Sequence, residues 1–274
     1  MYIFHPGMKK KVYFLSGFPR AGNTIISTIL NQNKNIATSG HSSLPDCFFN
    51  IESVKNTYTY NNFKNSKAIE NIQKNLVLNF YKDWKQPYII DRGEWGTPYN
   101  YKIMEKFCPN EFKIIFLLRN PLDIIKSYLK ICMNYPNFYI NKQFNFLDKT
   151  TLHRTELEEK IELIIKKGDF FDVSFFTYKN LQNKKNVLFI KYEDFADDPY
   201  TEINKIYEFL NIPKYKHSFN IKNQFSINGI EYDDSIHAAK MHKIHLGKVK
   251  NFNYPEIKLP KYILEKYKGV LYEY

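Results

Sequence analysis

Val12-Tyr-Phe-Leu-Ser-Gly-Phe-Pro-Arg-Ala-Gly-Asn-Thr24, running on into Ile25-Ile-Ser-Thr-Ile-Leu30, is the stretch on which the fold turns. An apolar run, Val12 to Leu15, stops at Gly17. A loop with Pro19, Arg20 and Gly22 follows, and then Ile25, Ile26, Ile29 and Leu30 recur at helical spacing. The order predicts a strand, a glycine loop and a helix N-terminus. The first N–H groups of a helix have no partner within it. With the helix dipole they form an anion site.

A Walker A loop reads Gly, four residues, Gly, Lys, then Ser or Thr. Here Gly17, four residues and Gly22 are followed by Asn23 and Thr24, so the lysine is missing. A kinase or ATPase needs that lysine at its β- and γ-phosphates. Arg20, two residues before Gly22, offers a planar, permanently charged fork for two anion oxygens instead. An ordinary strand-to-helix turn is the plainer alternative for these glycines.

The chain has 274 residues, 43% hydrophobic and 25% charged, with a net charge of +12. This is a globular composition, long enough for a substantial core. The charge fits an anionic ligand, nucleic acid or a membrane surface. The abundance of Lys, Asn, Ile, Phe and Tyr also fits a biased codon usage, which weakens that inference. No regular basic-aromatic stripe of the kind used by nucleic-acid surfaces is present. Cys47, Cys108 and Cys132 match no metal spacing and read as buried free thiols of a reducing compartment. Met1 to Lys11 holds no signal-peptide run, and no stretch nears the ~20 apolar residues of a membrane span. The expectation is one soluble cytoplasmic domain over 1–274.

Residues 31–45 read as a polar loop over the anion site, carrying His41. Ile69, Ile72, Leu76 and Phe80 predict a helix packed on a sheet, with the aromatic residues of 46–86 in the core. Pro87 to Ile90 predicts a strand ending at Asp91, with Arg92 and Glu94 just beyond; Asp91 also suits a Walker B carboxylate. The continuous apolar run Ile114 to Leu118 predicts a buried parallel strand. It leads to Arg119, with Pro121 at a helix start and Asp123 in its first turn. Ser127 follows on that helix. Arg119 and Ser127 can together hold a second phosphate; the competing role for Arg119 is a structural ion pair. Leu157, Ile161, Ile164 and Ile165 mark an amphipathic helix, Val187 to Ile190 another strand, and Ile203, Ile206, Phe209 and Leu210 a helix stopped by Pro213. The tail is dense in Lys and His, including His237, His242 and His245. It reads as a basic lid or a solvated positive face. Zinc is disfavoured there because no Cys lies nearby. Leu259 to Tyr267 reads as a last helix.

Four segments together resemble the sulfotransferases that use 3′-phosphoadenosine 5′-phosphosulfate (PAPS), in the style of bacterial and protein-tyrosine members. Phe14 to Thr24 resembles their 5′-phosphosulfate loop. Leu118-Arg-Asn-Pro-Leu-Asp-Ile-Ile-Lys-Ser127 resembles their 3′-phosphate motif. Leu188 to Phe195, with the helix ending at Phe209 to Pro213, resembles their Tyr-Glu strand and helix. The region of Lys248 resembles the segment that closes over the nucleotide. The resemblance covers most of the chain. It implies an α/β fold of P-loop type, a central parallel sheet flanked by helices.

The resemblance further implies PAPS as sulfuryl donor, with no metal, and an acceptor that is a sugar, small molecule, lipid or peptidyl tyrosine. It assigns Arg20, Ala21, Gly22, Asn23 and Thr24 to the 5′-phosphosulfate and Arg119 and Ser127 to the 3′-phosphate. Tyr192 and Lys248 are further nucleotide contacts. Ala21 departs from the family's Ser, and Asn23 from its Thr. Arg20 would stabilise the leaving group. The implied base, a Glu in protein-tyrosine members, falls at His41, with Glu94 and Asp91 as alternatives. A P-loop kinase or NTPase and a non-catalytic nucleotide-binding protein are the competing functions.

Overall fold

The computed structural model describes residues 10–108, 112–148, 153–166 and 170–269; both ends of the expected 1–274 domain therefore lie outside the described residues. The N-terminal half runs β1 (Lys11–Gly17), α1 (Asn23–Leu30), β2 (Ile36–His41), α2 (Leu44–Ser53), α3 (Tyr58–Asn62), α4 (Ser66–Phe80), β3 (Tyr88–Arg92) and α5 (Pro98–Phe107). The middle contains β4 (Ile114–Leu118), α6 (Pro121–Asn134), α7 (Tyr139–Asn145), α8 (Glu156–Lys166), α9 (Phe170–Leu181) and β5 (Val187–Lys191). Then come α10 (Tyr192–Asp197), α11 (Pro199–Leu210), four short strands, β6 (Asn220–Ile221), β7 (Ser226–Ile227), β8 (Ile230–Glu231) and β9 (Gly247–Lys248), and α12 (Lys261–Tyr267).

The five longer strands form one sheet in the order β2-β3-β1-β4-β5, and every pairing is parallel. Parallel strands covered on both faces have no polar side to present. The sequence obeys this: all five residues of β4 are buried, as are Phe14 and Leu15 of β1. Each fully buried Ile, Leu or Phe contributes about 1.5–3 kcal/mol over its exposed state. The chain steps from β1 outward to β2, returns to β3, then crosses to β4 on the other side of β1. Such a reversal opens a crevice at the carboxyl ends of the strands, where ligands of open α/β sheets bind.

Several expectations need correction. Residues 31–45 are not simply a loop, because they contain edge strand β2. Its Thr38 and Ser39 are buried and bonded. The Asn31 side-chain carbonyl accepts from Thr38 N–H at 2.6 Å, and Ser39 Oγ accepts from Arg92 N–H at 2.8 Å. The Asn31 side chain supplies a partner on the side of β2 that has no neighbouring strand, and Ser39 Oγ bridges to β3 where the pairing is irregular. Strand β3 runs one residue past Asp91, to Arg92. Helix α4 forms, but its buried positions are Gln73 and Val77, with Ile72 and Phe80 turned outward. The Gln73 amide donates to Glu52 at 2.9 Å, so a polar contact, not the apolar stripe, sets that face. Leu157 on α8 is likewise exposed, while Leu163 joins Ile161, Ile164 and Ile165 inside. Of the aromatic residues in 46–86, Phe48 and Tyr81 are core, but Phe49, Tyr58 and Phe63 are exposed.

All three cysteines are free. Burial pushes the Cys108 thiol up to about 12 and the Cys132 thiol up to about 11, which keeps both protonated and unreactive. Among the described residues no helix is long and apolar enough to cross a membrane.

Candidate active site

The loop between β1 and α1 is shaped by two glycines. A Cβ on Gly17 would stand 2.6 Å from the Leu117 carbonyl oxygen on the adjacent strand, so only glycine lets β1 and β4 close up there. The Phe18 N–H then donates to that same carbonyl at 2.8 Å. Gly22 has φ 85 and ends the loop; a Cβ on it would meet the Tyr192 ring at 2.7 Å. Helix α1 starts at Asn23, whose side-chain amide donates back to the Phe18 carbonyl at 2.9 Å. This leaves the amides of the first turn facing the crevice.

Arg20 sits between the glycines with φ 60. A non-glycine residue held in the left-handed region costs roughly 1–3 kcal/mol, and such outliers concentrate at functional positions. What holds it is visible. Its Nε donates to Ser127 Oγ on α6 at 3.1 Å, and its Nη1 to the Met241 carbonyl. Its own carbonyl accepts from Arg119 Nη1 at 2.6 Å. The loop after β1 and the turn after β4 are thus bolted together by two guanidinium groups.

Arg119 leaves the end of β4 and is 4% exposed. Its guanidinium carbon lies 4.4 Å from the centre of the Tyr192 ring, and its Nη2 donates to the Phe252 carbonyl. Its Nε is buried with no hydrogen-bond partner in the structure. No carboxylate lies within ion-pair distance among the described residues, so the structural ion pair does not form. The next residue, Asn120, caps α6, accepting from Leu122 N–H at 2.9 Å. That cap fixes the angle at which Arg119 enters the crevice.

These residues line a cavity of about 620 Å³, together with Thr24, His41, Arg92 and Glu94. Arg92 stands at the end of β3 and donates to Thr24 Oγ1 at 3.0 Å and to the Tyr232 hydroxyl. The sequence puts Arg92 beside the site without giving it a role; its place in the cavity depends on β3 reaching one residue further. The His41 N–H donates to the Tyr232 hydroxyl at 2.9 Å, while its ring opens to the cavity. Surrounding protein, then the charges of Arg92 and His242, push the His41 imidazole down to about 4. It is neutral at neutral pH. Glu94 has its carboxyl held above the usual range, first by desolvation and then by Asp46.

Three expected site residues lie elsewhere. Asp91 is fully buried and outside the cavity, its carboxylate accepting from the Tyr81 hydroxyl and from Trp95 Nε1 at 2.6 Å. Both oxygens are used in the core, which removes it as a base and as a Walker B group. Lys248 is exposed on β9, paired with β6, and does not line the cavity; Lys243 does. Ala21 is fully buried, and its N–H donates to the Phe18 carbonyl at 3.3 Å. Tyr192, by contrast, lies at the centre. Its ring touches Gly22 and Arg119, and its hydroxyl donates to the Lys250 carbonyl at 3.3 Å.

The C-terminal segment closes the other wall. Tyr232 and His242 stack face to face, ring centres 3.9 Å apart. His245 stacks on Phe252 at 4.1 Å. Among the described residues the tail histidines form no group placed to hold a metal ion. This arrangement brings two candidate anion points, one at the start of α1 and one at the start of α6, into one crevice.

Residues 10–253 match the family model of the sulfotransferase domain. The chain belongs to that family. No curated protein matches the chain. Among solved structures, the sulfotransferase domain of the Synechococcus PCC 7002 olefin synthase is 16% identical, with 95% of this chain and 100% of that one covered and a TM-score of 0.49. A sulfotransferase from Alicyclobacillus acidocaldarius is 14% identical over 79% and 87% of the two chains, with a TM-score of 0.48. A mouse sulfotransferase complexed with PAP is 18% identical over 76% of this chain and 60% of that one, with a TM-score of 0.44.

Proposed function

We propose that this sulfotransferase-family protein moves a sulfuryl group from PAPS to a hydroxyl or amine acceptor by in-line transfer. The observation that carries the reading is the Arg20–Ser127 contact at 3.1 Å, because it joins the α1 anion point to the α6 anion point. A donor with a 5′-phosphosulfate and a separate 3′-phosphate needs two such points, whereas ATP needs one.

The residues fit that donor on three counts. The orphaned Arg119 Nε is a buried donor lacking an acceptor. The Met241 and Phe252 carbonyls on Arg20 and Arg119 stand in for anion oxygens. Gly22 keeps the loop backbone clear of side-chain bulk. Gly22, Asn23 and Thr24 with Arg20 would hold the 5′-phosphosulfate, and Arg119 and Ser127 the 3′-phosphate beside Tyr192. PAPS, when bound, supplies the activated sulfuryl group. As the S–O bond to its 5′-phosphate breaks, negative charge gathers on that oxygen. Arg20 and the start of α1 are fixed there beforehand, which is how preorganised charge lowers a barrier. Arg92, through Thr24, adds a second cation to the same end. The acceptor proton requires a base with a free ring nitrogen or carboxylate facing the cavity, and His41 and Glu94 both meet that condition.

Calorimetry with adenosine 3′,5′-bisphosphate (PAP) and with ATP tests the donor reading. Clear preference for PAP is expected; equal or tighter ATP binding overturns it in favour of a kinase or NTPase. Labelled PAPS with a cell extract, followed by mass spectrometry of the product, tests transfer. PAP binding with no labelled product would mark a non-catalytic nucleotide-binding protein.

A further inference from the structure

The C-terminal segment holds a carboxylate–imidazole pair, Asp234 and His242, to which the proposed function assigns no step. The Asp234 carboxylate engages His242 twice: Oδ2 accepts from the His242 backbone N–H at 3.0 Å, and Oδ1 lies 2.5 Å from the ring Nδ1. A carboxylate at Nδ1 fixes the proton there and leaves Nε2 as the acceptor. Nε2 has no protein hydrogen bond among the described residues, and His242 lies between the cavity that holds Arg20 and a second one that Asp234 also lines. The Tyr232 ring covers one face of the imidazole with the planes 3° apart, so the ring is pinned in plane as well as in tautomer. Tyr232 is in turn fixed by the Arg92 guanidinium and by the His41 N–H. The preceding residue, Met241, gives its carbonyl to Arg20. One residue therefore separates this imidazole from the contact that places Arg20.

We infer that His242, oriented by Asp234, is the base that takes the acceptor's proton. This inference rests on the sulfuryl-transfer reading. In the step, the acceptor oxygen or nitrogen forms the new bond to sulfur, and the bond from sulfur to the 5′-phosphate oxygen breaks. The departing PAP keeps that electron pair, and the acceptor's proton passes to His242 Nε2 and then to solvent. Asp234 is a positioning residue, since it acts through the ring.

His41 is the nearest rival, and the surroundings separate the two. No carboxylate bonds the His41 ring; desolvation, then Arg92 and His242, lower its basicity, and the charge of Asp46 opposes them from further off. Desolvation and the charges of Arg92 and Arg20 leave the His242 imidazole below its ordinary value, although Asp234 at contact distance opposes them. His237 lies 6.1 Å away from ring to ring, and Lys243 is the next residue. An anionic donor at Arg20 and Arg92 would offset the two guanidinium charges, raising the basicity of His242 when the base is needed.

The test compares the parent protein with His242→Gln, Asp234→Asn and His41→Gln. Initial rates of label transfer from PAPS to a cell extract are measured across pH, with PAP calorimetry on each protein as the check on folding. His242→Gln is expected to lower the rate about 100-fold or more, the usual worth of a general base, while PAP still binds. Asp234→Asn is expected to give a smaller loss and to move the acidic limb of the pH profile downward, because the ring loses the charge that raises its pKa. A merely structural contact would not move that limb. Added imidazole should restore part of the His242→Gln rate. A parent-like rate in His242→Gln, or a loss confined to His41→Gln, overturns the assignment. A parent protein that binds PAP and labels nothing overturns the transfer reading itself, and that result is seen before any variant is made.

Discussion

Arg20 turns the loop at φ 60 and bridges to Ser127, and in the proposed transfer it would also face the leaving oxygen. Only the last involves charge developing during reaction. Arg20→Ala should therefore lower turnover by about 100- to 1,000-fold, the cost of losing one preorganised donor. Its melting temperature should stay near the parent's, because no buried partner is left charged. A rate near the parent's would remove Arg20 from the chemistry. Gly22 gives the opposite pattern. Gly22→Ala puts a methyl 2.7 Å from the Tyr192 ring at φ 85. It should destabilise the protein by about 1–3 kcal/mol in urea unfolding, and PAP affinity should fall with it. Unchanged stability would mean that the loop and α10 are less closely packed than they stand here. The two glycines and Arg20 were legible because backbone geometry and fixed charge write themselves into residue type. Asp91 misled because a strand-end aspartate looks alike whether it faces ligand or core. Only its partners, Tyr81 and Trp95, tell the two apart.

Among the elements, strands β1, β3, β4 and β5 could be read as apolar runs ending in polar residues. Strand β2 could not, because Ile36-Ala-Thr-Ser-Gly-His41 has the composition of a turn. Its strand character comes from pairing with β3 and from the Asn31 side chain, neither of which is local. The rotated face of α4 has the same origin, a Gln73–Glu52 bond between helices. The end of α11 carries a testable pH effect. Tyr207 on α11 is within 2.9 Å of His217 Nε2, and desolvation pushes the His217 imidazole down to about 4. A histidine whose folded pKa lies below its unfolded value is penalised on protonation. Stability is intact above about pH 6.5, the unfolded value, and is lost as pH falls from there through 4. The loss is at most about 3 kcal/mol, at 1.36 kcal/mol per pKa unit. His217→Gln should flatten that decline in thermal melts recorded between these pH values. An equally steep decline would assign the acid sensitivity to other groups.

For the molecule as a whole, a net charge of +12 says little until it is placed. The structure brings Arg20, Arg92, Arg119 and Lys243 to one cavity. Ions screen the outer part of that field over roughly 8–10 Å at physiological salt. PAP affinity should weaken by roughly an order of magnitude between low and high salt. A salt-independent affinity in calorimetry would mean that the cavity's charges do not reach the ligand. The pairing of Tyr232, Asp234 and His242 was beyond the sequence, since a dense His and Lys tail gives no sign of which ring meets which carboxylate.

Arg20 and Arg119 each hold a backbone carbonyl of the C-terminal segment. On the proposed reading, each incoming nucleotide competes with these tethered carbonyls for the two guanidinium groups. Measured affinity is then the intrinsic affinity scaled down by the fraction of molecules whose segment is displaced. Release of Met241 and Phe252 also frees the wall on which His242 stands, so the donor has to bind and the segment settle again before an acceptor meets its base. On that reading the reaction is ordered, nucleotide first.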